Sequence, residues 1–332
     1  MQNTVVTDTK KWDIVVNISG VTKYFDQNRP VSIFKREKHR IYALKNVSFT
    51  LKKGELAAYA GPNGAGKSTT FKLLSGMLCP QEGTVSIFGM DPNKSRIPVM
   101  RRTGILFGNR SELWWDHPVR ASFEWKKEVW DIKNADYHRV REELTELLSL
   151  GDLWNSYARE LSLGQRMRAN LALMLLHEPE LVLLDEPTLG LDVLAKRQMI
   201  EFLKKINRDK QVTILVTSHD MDDLTEMANR ILLINEGQLA FDGDYEQLIR
   251  MTGDNRVIKL TAKGEAPVLS CADYMGTEEG KHLYRYDASK TSVSEIFGSI
   301  SKIQAVEDVE LGHEAIEQVI ARLYEDWRNV VK

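Results

Sequence analysis

One turn, Gly61-Pro62-Asn63-Gly64-Ala65-Gly66-Lys67-Ser68-Thr69, constrains the fold of this chain more than any other stretch. The residues before it, Leu56 to Ala60, read as a buried strand, and Lys67 to Ser75 reads as a helix behind it. A strand, a G-x-x-x-x-G-K-[ST] loop and a helix in that order are the context a phosphate-binding loop requires. Glycines let successive backbone N–H groups wrap phosphates, and the helix that follows points its positive end at them. Lys67 is expected to reach the β- and γ-phosphates, and the Ser68 hydroxyl to ligate Mg²⁺. Gly61, Asn63, Gly64, Gly66, Lys67, Ser68 and Thr69 are therefore the predicted ATP-binding residues.

Further along, Leu181-Val182-Leu183-Leu184 reads as a second buried strand that ends in Asp185-Glu186. Asp185 is expected to hold Mg²⁺, mainly through its water shell. Glu186, one residue on, is where a carboxylate can polarise an attacking water. His219 follows the apolar strand Ile214 to Thr217 and is expected to reach the γ-phosphate from the same sheet edge. Lys67, Glu186 and His219 are the predicted catalytic set. Leu161-Ser162-Leu163-Gly164-Gln165 is a second phosphate grip entering a helix, which a chain already holding ATP does not need. It makes sense if it closes over the ATP of another copy.

Strands alternating with helices, the apolar ones reading as buried on both faces, predict an α/β fold with a mainly parallel core sheet. Ile14 to Ser19 and Val47 to Leu51 alternate as antiparallel N-terminal strands would. Residues 109–178 carry helical patterning and no strand, which predicts a helical subdomain; within it Val119 to Leu150 reads as helical, stopped by Gly151. The expected domains are an ATP-binding domain at 1–253 and a small α+β appendage at 254–332. In the appendage Ser292-x-x-Glu295 is a capping box, and Ile316, Val319, Ile320 and Leu323 form a helical stripe. The basic run Phe34 to Arg40 reads as a solvated loop.

Composition narrows the partners. A net charge of −2, from 45 basic and 47 acidic residues, argues against nucleic acid. The two cysteines have no metal-like spacing and suit a reducing compartment. No apolar run is long enough to span a bilayer, and the N-terminus lacks the core of a signal peptide.

Taken in order, Gly61–Thr69, Leu161–Gln165, Leu181–Glu186, Gly190-Leu191-Asp192 and His219 resemble the ATPase subunit of an ATP-binding cassette transporter. The resemblance covers roughly 12–250. It implies a head-to-tail dimer with two ATP molecules sandwiched between subunits, in which Ser162, Gly164 and Gln165 meet the nucleotide held by the other subunit's Lys67. It also implies that Asp192 lies on a loop linking the two sites, and that an aromatic stacks on adenine. Phe25 fits that role, with Tyr24 and Tyr42 as rivals. Two positions depart from the family. Leu163 replaces a second glycine, and Asn109 stands in place of a glutamine that senses Mg²⁺ and water, short by one C–C bond of about 1.5 Å. The stretch around Trp114 and Trp115 is either core packing or, by family likeness, the cleft that receives a membrane permease. The motif strings resemble a subgroup paired with separate drug-resistance-type export permeases. The expected function is an ATP-hydrolysing motor on the cytoplasmic face of the membrane, with permease partners and a second ATPase subunit. The alternative is a soluble cassette ATPase in translation or DNA maintenance.

Overall fold

A computed structural model describes residues 13–32, 35–108, 110–218, 220–252, 255–262, 266–278, 280–303, 306–313, 318–320 and 322–323. Ile14–Ser32 (β1) and Lys35–Lys52 (β2) pair antiparallel along their whole length, from Ile14↔Lys52 to Ser32↔Lys35. The basic run at 35–40 is thus ladder-bonded strand, not the loop its charge suggests. The pairing satisfies the backbone groups wherever the side chains prefer to be. Leu56–Ala60 (β3) is buried at every residue and leads through the glycine-rich turn to Lys67–Leu74 (α1). Glu82–Ile87 (β4) joins the free side of β1, giving a three-stranded antiparallel sheet in the order β2-β1-β4.

Arg96–Met100 (α2) and Thr103–Phe107 (β5) come next, followed by Val119–Val129 (α3), Asn134–Leu147 (α4) and Leu163–Leu175 (α5). The continuous helical pattern at Val119–Leu150 is in fact broken between α3 and α4, where Asp131 takes a left-handed φ of 53°. Nor does Gly151 stop α4. Ser149 adopts the left-handed turn (φ 50°), Arg168 Nη1 on α5 donates to the Leu148 carbonyl at 2.9 Å, and Gly151 opens a short 3₁₀ turn. A side chain from a packed neighbour satisfies the helix end in place of a glycine.

Leu181–Asp185 (β6), Val193–Lys210 (α6), Thr213–Thr217 (β7), Met221–Met227 (α7), Arg230–Asn235 (β8) and Gln238–Gly243 (β9) complete the larger sheet. Its order is β5-β6-β7-β3-β8-β9, with β5 through β8 parallel. β9 is joined to β8 by Glu236-Gly237, whose φ values of 47° and 80° make the two-residue turn of a hairpin. The fold is therefore the expected α/β cassette: a mainly parallel core sheet, antiparallel N-terminal strands and a helical part. A core containing Val16, Leu44, Tyr59, Phe71, Leu74 and Ile87 joins the antiparallel strands, β3 and α1. Within it the Tyr59 hydroxyl lies 2.9 Å from Thr70 Oγ1, so α1 is pinned to the strand that feeds the turn.

The chain divides into compact units at 1–242 and 243–332. The second begins ahead of the expected 253/254 boundary and takes in Tyr245–Thr252 (α8). Asn255–Ala262 (β10), Asp273–Glu278 (β11), Lys281–Asp287 (β12) and Val306–His313 (β13) form an antiparallel sheet ordered β11-β12-β10-β13. Val293–Ile300 (α9) covers it through Ile296 and Ile300 and starts at the Ser292/Glu295 capping box. Of the C-terminal stripe, Val319, Ile320 and Leu323 are buried, and Ile316 lies outside the described residues.

Candidate functional site

The turn after β3 is shaped by what a side chain would strike. A Cβ on Gly61 would stand 2.2 Å from the Ile234 carbonyl oxygen of β8. At Gly66, where φ is 116°, it would stand 2.5 Å from the Ala43 carbonyl oxygen of β2. The loop therefore passes against backbone at both ends, which only glycine allows. Lys67 Nζ is folded into it, donating to the Gly61 carbonyl at 2.6 Å and the Pro62 carbonyl at 3.3 Å. Burial pulls the Lys67 pKa down, and the Glu186 and Asp185 carboxylates pull it back up. An ammonium held partly desolvated in a loop of backbone N–H groups is suited to an incoming polyphosphate.

The ends of β5, β6 and β7 line up, since Phe107 pairs with Asp185 and Asp185 with Thr217. This edge of a parallel sheet is where ligands bind in such folds. Ser68 Oγ donates to Asp185 Oδ2 at 3.3 Å, and Thr217 Oγ1 donates to Asp185 Oδ1 at 2.7 Å. Thr217 Oγ1 also accepts from the Glu186 N–H at 3.0 Å. Glu186 leaves the strand in a left-handed conformation (φ 53°), which costs a non-glycine residue about 1–2 kcal/mol. Thr217 was not legible as a site residue. It closes an apolar strand, and only the ladder register puts it beside Asp185. The hydroxyl and carboxylate oxygens of Ser68 and Asp185 are hard donors at one spot, and they fit a Mg²⁺ ion.

Ser162, Gly164 and Gln165 open α5 and Asp192 opens α6; an added Cβ on Gly164 would meet Ala195 Cβ of α6 at 3.5 Å. Ser162 is the N-cap of α5: its Oγ accepts from the Gln165 N–H at 3.2 Å, and Gln165 Oε1 accepts from the Ser162 N–H at 2.9 Å. Asp192 caps α6 by accepting from the Ala195 N–H at 2.9 Å. Leu163 turns its side chain toward Gly190, where an added Cβ would meet Leu163 Cδ2 at 2.9 Å. The departure at 163 thus packs on the 190–192 turn of its own chain.

Phe25 and Tyr42 are both exposed, while Tyr24 is half-buried under the Arg40 guanidinium, 3.9 Å from its ring centre. Trp114 and Trp115 are 38% and 52% exposed, so neither is core; Leu113, Ser122 and Phe123 are among the buried residues nearby. Trp114 packs near Trp125, and Arg166 of α5 lies over Trp115 at 4.6 Å. Asn109 and His219 lie outside the described residues.

Comparison with known proteins identifies the family. The ABC transporter family profile matches residues 44–189, spanning the glycine-rich turn, the Ser162 cap and the β6 carboxylates. The linearmycin resistance ATP-binding protein LnrL of Bacillus subtilis is 30% identical over 225 residues, covering 67% of this chain and 70% of that protein. The chain belongs to the ATP-binding subunits of ABC transporters. It is an ATPase of that family. The ABC transporter ATP-binding protein NatA of Bacillus subtilis is 29% identical over 215 residues, 65% of this chain and 87% of that one. Among solved structures, a dimeric ATP-binding cassette in a post-hydrolysis state with ADP and Pi is similar at a TM-score of 0.59 and 25% identity. That likeness covers 69% of this chain and 98% of the cassette. No described helix of the present chain is long and apolar enough to cross a membrane.

Proposed function

We propose that this cassette ATPase is the motor of an exporter, working as a dimer beneath separate membrane permeases on the cytoplasmic side. The observation that carries the reading is the convergence of Lys67, Ser68, Asp185, Thr217 and the Glu186 backbone at one sheet edge. Lys67 and the loop N–H groups hold the β- and γ-phosphates. Ser68 and Asp185 hold Mg²⁺, which when bound offsets charge on the phosphates. Thr217 fixes Asp185 and the start of the Glu186 turn, and Glu186 takes a proton from the attacking water. His219 approaches the γ-phosphate, Asn109 the water, and Phe25 stacks on adenine.

Ser162, Gly164 and Gln165 of a second copy close over the same nucleotide, with Asp192 at the seam. Val193 and Leu194, 72% and 67% exposed beside Asp192, are apolar surface for that seam. Ser162 and Gly164 at each of two sites make four charge-assisted contacts, roughly 6–12 kcal/mol gross. Inverting an open-to-closed balance from 99:1 takes about 5.5 kcal/mol, so closure is within reach of ATP binding. The half-exposed Trp114, Trp115 and Trp125 form a surface for the permease. Likeness to a resistance ATP-binding protein supports export.

Glu186→Gln is the test. The variant is expected to bind ATP, accumulate as a closed dimer on size-exclusion chromatography, and hydrolyse ATP at a few per cent or less of the normal rate. Substantial turnover would remove Glu186 from the role of base.

A further inference from the structure

Lys196 lies in the first turn of α6, its N–H donating to the Asp192 carbonyl at 2.9 Å. Its ammonium reaches across to the segment after β7, bonding Asp220 Oδ2 at 2.6 Å and lying 3.1 Å from Asp223 Oδ2. Asp220 is the N-cap of α7: its Oδ1 accepts from the Asp223 N–H at 3.2 Å, and its own N–H donates to Ser218 Oγ at 3.0 Å. One residue back, Thr217 holds Asp185 and the Glu186 N–H. The contacts form a continuous path from the Asp192 cap, through Lys196, Asp220 and Ser218, to the carboxylates at the end of β6. Each link is a direct hydrogen bond or the adjoining residue, and the Lys196 side chain is about three-quarters buried.

We infer that Lys196 is a positioning residue for hydrolysis: it locks the segment after β7 to the helix opened by Asp192, keeping Thr217 seated on Asp185 and Glu186. The inference rests on the reading of Asp185 and Glu186 given above. Lys196 touches neither the glycine-rich loop nor Ser68, so ATP affinity is not its business. Removing its charge takes the Lys196 cation away from Asp220 and Asp223, and the contact of Asp220 with Ser218 loosens. The cost falls on the geometry of the chemical step.

The test is steady-state ATP hydrolysis by the full chain, with Lys196→Met, Lys196→Arg, Asp220→Asn and the double variant Lys196→Met/Asp220→Asn. Asparagine keeps the helix cap while removing the charge. Lys196→Met is expected to lower kcat about tenfold, equivalent to about 1.4 kcal/mol, with KM for ATP and the Kd of a fluorescent ATP analogue within about twofold. Arginine is expected to recover most of the rate. The double variant is expected to be no slower than Lys196→Met, because the two share one interaction. Unchanged kcat in Lys196→Met, losses that add in the double variant, no recovery with arginine, or ATP binding falling in step with melting temperature would each overturn it. Glu186→Gln runs alongside. If it still turns over, the site reading and this inference fall together; if it is inactive while Lys196→Met runs at full rate, only the inference falls.

Discussion

His177 offers the sharpest test of how the helical part is joined to the sheet. It follows α5, stacks on Trp130 at 4.1 Å between ring centres, and its Nε2 lies 3.2 Å from the Thr103 carbonyl oxygen at the start of β5. Burial is the main reason its pKa is pushed down from 6.5 to about 4. The Lys126 ammonium pushes the same way, and the Thr103 and Met174 carbonyls offset part of both. Lys126 is itself buried and tied to Glu112 at 2.8 Å, so it cannot swing away. In the folded state the ring stays neutral where the unfolded chain would protonate it. The stabilisation is therefore complete above pH 6.5, shrinks as pH falls, and is gone below pH 4. The gap between the two pKa values corresponds to about 3 kcal/mol, of which about 2 kcal/mol is lost by pH 5. Urea unfolding of the wild type and of His177→Phe, followed by tryptophan fluorescence at pH 7.5 and pH 5, isolates this effect. Phenylalanine keeps the stack and cannot titrate. The wild type is expected to lose about 2 kcal/mol more than the variant between those pH values. Equal losses in both proteins would refute the claim that His177 is held neutral by its surroundings.

Gly66→Ala is expected to weaken ATP binding at least about a hundredfold, because the new Cβ meets backbone at a strained φ. A fluorescent-nucleotide titration with near-normal affinity would contradict that. Arg230 bonds Asp242 through two nitrogens and Glu55 and the Thr50 carbonyl through a third, at 2.7–2.9 Å. Arg230→Met leaves two carboxylates without their cation and is expected to cost about 2–4 kcal/mol in a urea titration; a loss below about 0.5 kcal/mol would put the cluster among weak surface pairs.

The parts of the fold readable from the chain are those encoded over short spans. Leu56–Ala60 and the helix after Gly66 were legible because loop, strand and helix are contiguous and each is locally consistent. So was the Ser292 cap, which needs four consecutive residues. What escaped depends on residues far apart. The basic run at 35–40 looks like a polar loop, since its strand character comes from the ladder between β1 and β2. The end of α4 escaped because Arg168, twenty residues later, supplies its partner. The same holds at the site. Lys67, Asp185 and Glu186 announce themselves by motif, whereas Thr217 reaches Asp185 and Lys196 reaches Asp220 only through strand register and helix packing. For Trp114 and Trp115 the sequence allows both core and surface, and their exposure places them at the surface.

The capping box at Ser162 has a consequence for any anion that arrives there. A serine hydroxyl has two lone pairs and one proton. The cap engages a lone pair with the Gln165 N–H, while Gln165 grips the Ser162 N–H in return. Residue 162 is therefore already frozen in one rotamer when α5 forms, and its proton is left to donate outward. The rotational entropy of that side chain is lost when the subunit folds. An anion that meets this cap therefore has only the hydroxyl hydrogen left to orient, and the helix cap that stabilises α5 lowers the ordering cost of such a contact.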